Sequence, residues 1–324
     1  MVGCVIVYDG NIIGEGFTSA FGGPHAEVNA INAVVNKDLL KEAVLYVTLE
    51  PCAHHGKTPP CADLIIKYNI PKVVIGIADP NEKVSGRGIE RLTAAGCEVI
   101  YPVLEKEVRK HHKRFLTMQE KNRPYIILKW AETLDGYIAP NKEKRSAAAE
   151  PYWITNPYSR QKVHQWRSEE QAIMVGSGTV LADNPKLTAR LWKGKSPIRI
   201  LIDKNLEITP EHHVLDDSVQ TIIITQTKPV VNTYTKTHFE VIDFTPELAS
   251  QICSLLHANQ IQSVLIEGGA QTLQTFIDAE LWDEARLFTG TNYFHEGLLA
   301  PKIAGDLQKT MTIDNDVLKI IHHD

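Results

Sequence analysis

His25 and Glu27 in the segment PHAEV, and Cys52 and Cys61 in EPCAHHGKTPPC, are the side chains best suited to chemistry. One imidazole and two thiolates give a zinc ion three protein ligands. Three ligands rather than four leave a position for water, which marks a catalytic site and not a closed structural one. Zinc in that setting brings the pKa of water to near neutrality. Glu27, two residues past His25, can reach the open position without ligating and can shuttle protons. His54 and His55 are spare, and suit a place beside the metal or the substrate better than a fourth ligand position. The plain alternative is a chance His-x-Glu beside two core cysteines. Cys4, Cys97 and Cys253 lie in apolar stretches and read as small core residues.

The elements that must position these groups follow from periodicity. Strands are predicted over 2–8, 43–49, 72–77 and 97–101, with Asp9-Gly10 as a hairpin turn. Helices are predicted over 25–35, 61–68 and 88–95. His25 and Cys61 then fall at helix N-termini, whose positive ends favour thiolate over thiol, and Cys52 follows a strand. A charged helix over 104–121 closes this region and reads as a solvated face. A second domain starts near Arg123. It has strands at 125–130, 172–175, 198–202, 220–225, 239–242, 263–267 and 284–289, helices at 158–167, 246–259 and 270–279, and a polar loop at 141–150. This βαβ rhythm predicts helix-flanked α/β sheets.

Composition bounds what the chain can be. Its 324 residues point to two domains, divided here into 1–121 and 122–324. Hydrophobic residues at 43% and charged residues at 23% are ordinary for a globular protein. No apolar run long enough for a transmembrane helix occurs, so no membrane partner is expected. No secretory signal pattern is visible. A net charge of -5 disfavours a nucleic-acid partner, so local basic groups must hold any anionic ligand. Five cysteines, an odd number, make no disulfide framework and fit a reduced, cytoplasmic protein.

In the second half, Gly176-Ser177-Gly178-Thr179 follows a strand, and Gly268-Gly269 follows a strand and opens a helix. Both can bring backbone N–H groups against a diphosphate. No Gly-x-Gly-x-x-Gly fingerprint is present. Lys129, Asp183 and Glu267 are polar groups at strand ends or adjoining loops.

The His-x-Glu and Pro-Cys pattern resembles the zinc nucleobase deaminases, whose usual signature separates the cysteines by two residues. Here eight residues, AHHGKTPP, separate them, an expanded loop similar to that of the riboflavin-pathway pyrimidine deaminases. Adding LKWAETLDGYIA, YWIT, HQWRSEEQAIMVGSGTVLADNPKLTAR and VLIEGGAQTL, nearly the whole chain resembles the bifunctional riboflavin-biosynthesis deaminase–reductase family. That resemblance implies a cytidine-deaminase-like three-layer α/β/α domain followed by a dihydrofolate-reductase-like α/β domain. It implies zinc-dependent deamination of a diaminohydroxyphosphoribosylaminopyrimidine, then reduction of the ribosyl chain with NADPH. It places Lys57, Asp79 and Asn81 at the deaminase substrate. It places Tyr137, Trp153, Thr179, Asp183, Gly269, Ala270, Gln271, Thr272, Leu273, Gln274 and Thr275 at the NADPH cofactor. It places Arg167, Leu187, Arg190 and Glu267 at the reductase substrate, with Arg167 and Arg190 as bidentate phosphate partners. Lys129 and Asp183 are the preferred catalytic groups of the reduction, beside Glu27 for deamination. A homo-oligomer is implied as well.

The chain departs from the family at three points. Relatives carry an upstream helix and a Pro-Asn-Pro turn before the segment here written Val2-Gly3-Cys4, and the expectation is a weaker deaminase or one that relies on a neighbouring subunit to cover the gap. Thr18 stands where many relatives have His, and Pro151 stands where they have Ser. Two other readings remain: a reductase with an impaired deaminase domain, and a zinc nucleic-acid deaminase with an accessory domain. A purely structural zinc protein is the third and blandest, and Glu27 beside an open position argues against it.

Overall fold

Asp9 and Gly10 both take positive φ, 47° and 73°, which sets the tight turn between β1 (Gly3–Tyr8) and β2 (Asn11–Phe17). The computed structural model describes every residue except 21, 55–58, 82–84, 145–148, 232 and 324. The chain separates into Met1–Lys121 and Asn122–Asp324, taken here one at a time.

The first unit continues with α1 (Ala26–Ala33), β3 (Val44–Leu49), α2 (Cys61–Lys67), β4 (Lys72–Ile77), α3 (Arg87–Ala94), β5 (Glu98–Ile100), α4 (Glu105–His111) and α5 (Lys113–Glu120). Its sheet runs β2-β1-β3-β4-β5, with β3, β4 and β5 parallel and β1 antiparallel to both neighbours. Alternate residues Ile6, Leu45, Val73 and Ile75 bury one face against Ile31 of α1, Ile65 of α2 and Leu92 of α3. Gly14 and Gly16 let α1 lie close, because a Cβ at either would sit 2.5 Å from backbone atoms of Ala30. On the other side Val108 of α4 packs over Gly76, and Leu116 of α5 reaches Leu49 and Ile77. This is the cytidine-deaminase-like α/β/α arrangement.

The predicted single helix over 104–121 is two helices. α4 buries no residue, whereas α5 buries Leu116, Thr117 and Met118. Between them His112 turns inward, 3% exposed, and bonds the Thr48 hydroxyl at 2.9 Å. The break lets an exposed stretch become an inward-facing one.

The second unit is built on β6 (Tyr125–Glu132), β7 (Tyr137–Pro140), α6 (Pro157–Glu169), β8 (Ala172–Gly176), α7 (Ser177–Asp183), β9 (Ile198–Ile202), β10 (Thr221–Thr225), β11 (Thr237–Val241), α8 (Leu248–Ala258), β12 (Ser263–Ile266), α9 (Ala270–Asp278) and β13 (Glu284–Thr289). It ends with β14 (Gly297–Leu299), β15 (Asp306–Ile313) and β16 (Asp316–His322). The large sheet has the order β11-β10-β9-β8-β12-β6-β13-β16-β15. All strands from β11 to β13 are parallel, and the terminal hairpin is antiparallel. Parallel strands are covered on both faces and therefore read as continuous apolar runs. Here α8 and α9 cover one face through Ile252, Leu256, Leu273 and Phe276. α6 and α7 supply Val163, Trp166 and Val180 on the other. The order places β8 beside β12, so successive strands depart in opposite directions there. Such a switch point opens a crevice at the strand C-termini. No described helix is long and apolar enough to cross a membrane.

Candidate active sites

The first site forms where two helix starts meet the end of β3. His25 caps α1, Cys61 opens α2, and Cys52 lies just beyond β3. His25 Nδ1 stands 3.6 Å from Cys52 Sγ and 3.4 Å from Cys61 Sγ, and the three donor atoms all lie within 4.8 Å of one another. Zinc bonds of about 2.0 Å to nitrogen and 2.3 Å to sulfur, at tetrahedral angles, require donor separations of roughly 3.5–3.8 Å. The donor set fits a zinc ion. The Cys61 backbone N–H donates to Cys52 Sγ at 3.3 Å, so the start of α2 stabilises a thiolate there. Hydrogen bonding from Cys61, against the opposing effect of burial, brings Cys52 down to about 4. The same bond, with burial, raises Cys61, so the two sulfurs share one proton that a cation would displace.

Glu27 sits in the first turn of α1 and is 4% exposed. Burial raises its carboxyl to about 7, which the Cys52 thiolate reinforces and His25 opposes. A carboxyl poised there can both take and give a proton near neutral pH.

Glu50 was not picked out from the sequence. It ends the run before Cys52, is 4% exposed, and accepts backbone N–H bonds from Asp79, Gly86, Gly88 and Ile89 at 2.8–3.2 Å. It thereby ties the metal loop to the segment carrying Asp79 and Asn81. Gly88 is needed for this closeness, since a Cβ there would lie 2.0 Å from the Pro51 carbonyl. Asp79 accepts from the Asn81 N–H at 2.9 Å, and its pKa is raised by burial, with Glu50 and Cys52 adding. Asn81 donates to Gln119 at 3.3 Å. Lys57 and His55 lie outside the described residues. Thr18 uses its hydroxyl to clasp the backbone of Val2.

The second site is a cavity of about 1430 Å³ over the C-terminal ends of β6, β8, β9 and β12. Ligand sites of drug size occupy about 300–1,000 Å³, so a dinucleotide and a second ligand fit together. Lys129, Trp153, Arg167, Thr179, Asp183, Leu187, Arg190, Glu267 and the 269–273 turn with Thr275 line it, as does Pro151. Gly176 and Gly269 cap α7 and α9, and the two turns touch through the Gly176 N–H to Gly268 carbonyl bond at 3.3 Å. A Cβ on Gly176 would lie 2.7 Å from Thr272 Oγ1. Both turns line the cavity at helix starts, where a diphosphate can be held. The residues present fit a nicotinamide dinucleotide.

Two predicted contacts point elsewhere. Tyr137 is absent from the wall, where Ile138 and Ala139 stand, and its hydroxyl donates to the His295 carbonyl. Gln274 is also off the wall and donates to Asp278 at 2.6 Å, one turn along α9. Helix and strand periodicity explains both: neighbours in sequence face opposite ways.

Glu267 is the charge centre of the cavity. Arg167 binds it bidentately at 2.7 and 2.8 Å, and Lys129 Nζ lies 3.6 Å away. Burial would raise Glu267, but Arg167 and Lys129 outweigh it and hold the carboxyl at about 2. Burial in turn lowers Lys129, against the pull of Glu267. Arg167 therefore spends its guanidinium fork on Glu267, and Arg190 has no carboxylate partner among the described residues.

Residues 1–77 match the family profile of the cytidine and deoxycytidylate deaminase zinc-binding region, and residues 124–319 match that of the RibD C-terminal domain. The chain is 38% identical over 300 residues to the riboflavin biosynthesis protein RibD of Aquifex aeolicus, covering 92% of this chain and 82% of that one. It is 39% identical over 310 residues to RibD of Bacillus amyloliquefaciens, covering 94% and 81%. A Thermotoga maritima crystal structure described as a diaminohydroxyphosphoribosylaminopyrimidine deaminase/5-amino-6-(5-phosphoribosylamino)uracil reductase superposes with a TM-score of 0.89 at 38% identity. That match covers 100% of this chain and 92% of the other. Acinetobacter baumannii RibD superposes at 0.86 with 30% identity, covering 99% and 91%.

Proposed function

The chain belongs to the RibD family of riboflavin-biosynthesis proteins, and from that premise we propose how its two units divide the work. Residues 1–121 hydrolytically deaminate the diaminohydroxyphosphoribosylaminopyrimidine, and residues 122–324 reduce the ribosyl chain of the product to ribityl with NADPH. The observation that carries this reading is the joint presence of a three-donor zinc set beside the buried Glu27 and a dinucleotide-sized cavity centred on Glu267.

In the first reaction His25, Cys52 and Cys61 would hold zinc, which when bound would supply the Lewis acidity that makes water a nucleophile near pH 7. Glu27 takes a proton from the attacking water and passes it to the ring amino group, which leaves as ammonia while a carbonyl forms. Asp79 and Asn81, held in place through Glu50, bind the pyrimidine, and Lys57 meets its phosphate.

In the second reaction NADPH supplies the hydride. The turns at Gly176 and Gly269 would hold its diphosphate, and Thr179, Asp183 and Trp153 would orient it. Arg190 meets the substrate phosphate, and Leu187 packs on the chain. Arg167 acts through Glu267, fixing the carboxylate that positions Lys129. Lys129 delivers the proton that accompanies the hydride, with Asp183 as the other candidate donor.

The five unpaired cysteines support a reducing cytoplasmic setting. Exposed Tyr293, Leu298, Leu299 and Leu307 support a homo-oligomer, which light scattering after gel filtration checks. The decisive assay incubates the protein with the diamino pyrimidine phosphate, with and without NADPH. Ammonia and the deaminated product should form without NADPH, and the ribityl product only with it. Absence of ammonia, or NADPH oxidation without the ribityl product, contradicts the reading.

A further inference from the structure

Arg91 has no place in either reaction. It stands in the last turn of α3, and its guanidinium reaches two separate segments. Nε donates to the Asp63 carboxylate at 2.6 Å, and Nη1 donates to the Ala53 carbonyl at 3.2 Å. Ala53 directly follows Cys52, and Asp63 lies two residues past Cys61 in the first turn of α2. One side chain from a third element therefore joins the chain beside one candidate zinc thiolate to the helix that opens on the other.

Eight residues separate the two cysteines, so their sulfurs must be brought together across a loop, and loop closure costs entropy. Two backbone donors oppose that cost at Cys52 itself. The Ala62 N–H donates to its carbonyl at 3.1 Å, and the Cys61 N–H to its Sγ at 3.3 Å. α3 adds a grip on either side of that residue. Its first turn holds Glu50, through the N–H groups of Gly88 and Ile89 at 2.8 and 3.2 Å. Its last turn holds Ala53, through Arg91. A guanidinium is planar and rigid, so two of its N–H groups engaged at once fix distance and angle together. The Arg91 side chain is 46% exposed and that of Asp63 33%. An ion pair that open adds little to folding, which leaves placement as the larger part of what Arg91 contributes.

We propose that Arg91 is a positioning residue of the metal centre, which holds the Cys52 and Cys61 segments at zinc-binding separation and thereby slows the release of the ion. The donor atoms already stand at the spacing a tetrahedral zinc requires, with His25 Nδ1 at 3.6 and 3.4 Å from the two sulfurs. Without Arg91, Ala53 and the start of α2 are free to part, and a sulfur that leaves the ion has farther to return. Groups that orient ligands from outside change metal affinity by about 10–100-fold. Arg91 acts one step further out, on the peptide beside a ligand, so the lower end of that range is expected. The inference rests on zinc binding by the first unit, and adds to it a residue that does not ligate.

The test mixes the zinc-loaded full chain with an excess of a chelating dye and follows zinc release by absorbance. Arg91→Met, which keeps the stem but has no donor, should release zinc about tenfold faster than wild type. Arg91→Lys, which has a donor but no fork, should fall between the two. Asp63→Asn, which weakens the anchor of the guanidinium, should speed release by a smaller factor. Melting of the zinc-free protein separates placement from a structural role: wild type and Arg91→Met should melt alike without zinc and differ with it. Deamination by Arg91→Met should fall in zinc-depleted buffer and recover in excess zinc. Equal release from wild type and Arg91→Met overturns the proposal. So does faster release from a variant that melts well below wild type without zinc, since that assigns Arg91 to the fold. If Arg91→Met does not fold, Asp63→Asn decides, and release from it at the wild-type rate overturns the proposal. A wild type that binds no zinc overturns the reading of the first unit itself.

Discussion

In the first unit the candidate reacting groups are side chains held close together: the donor atoms of His25, Cys52 and Cys61 lie within 4.8 Å of one another, and Glu27 is buried in the first turn of α1. In the second unit the proposed chemistry is spread over strand ends 129 to 267. Much of it is backbone, in the turns at Gly176 and Gly269, with one buried carboxylate joining Arg167 to Lys129. The first site depends on donor identity, the second on the mutual placement of several elements. Loss of a single side chain should therefore act as a switch in the first unit and as a gradation in the second.

The largest effect tests that switch. Cys52→Ala with Cys61→Ala should abolish both zinc retention and deamination, while reduction of the deaminated intermediate continues. Metal analysis with the two separate assays checks it, and zinc retained in the double variant breaks the contrast. Next, Glu27→Gln should keep zinc and lower deamination by about 10²–10⁴-fold, the usual weight of an acid–base group. A fall below tenfold removes Glu27 as the proton carrier.

Glu267→Gln is the corresponding cut in the second unit. It leaves Arg167 and Lys129 facing each other, largely buried and without their carboxylate. Breaking a buried pair in this way costs about 3–5 kcal/mol. Denaturant unfolding of the second unit should show that loss, and reduction should slow while deamination persists. Unchanged stability would mean that the network contributes geometry alone.

The smallest effect is a pH dependence. Burial, with His111 and the chain N-terminus, lowers His112 to about 4, whereas an unfolded histidine titrates near 6.5. Between those values the unfolded chain holds more protons. The stability of the neutral ring is thus complete above about pH 6.5 and lost as pH falls toward 4. Glu27, raised to about 7, runs the opposite way and loses its contribution as pH rises from about 4.5 toward 7. Melting the wild type against His112→Gln isolates the histidine. The variant should lose less stability on acidification, by at most about 2 kcal/mol at pH 5. Parallel curves would remove His112 from the balance.

The candidate zinc donors were legible because His-x-Glu and a cysteine after a predicted strand are strong local signals. Glu50 was not, because its partners are backbone N–H groups 29 to 39 residues away, and nothing near Glu50 in sequence announces them. The parallel strands were readable as apolar runs. The β15–β16 hairpin was missed: β15 is mostly exposed and lacks an apolar stripe. α7 was missed too, at seven residues with only Val180 buried.

Sequence alone determined the residue types able to hold zinc and move protons, the glycines that admit a diphosphate, and the apolar periodicities that build two α/β sheets. Those are local properties of the chain. The tertiary structure decided which cations are spent and which stand ready. Arg167 and Arg190 are equal as sequence, but the β8–β12 switch point sets Arg167 on Glu267 and leaves Arg190 facing the cavity. Charge pairing depends on distance in space, and that distance is fixed only when strands far apart in the chain lie side by side.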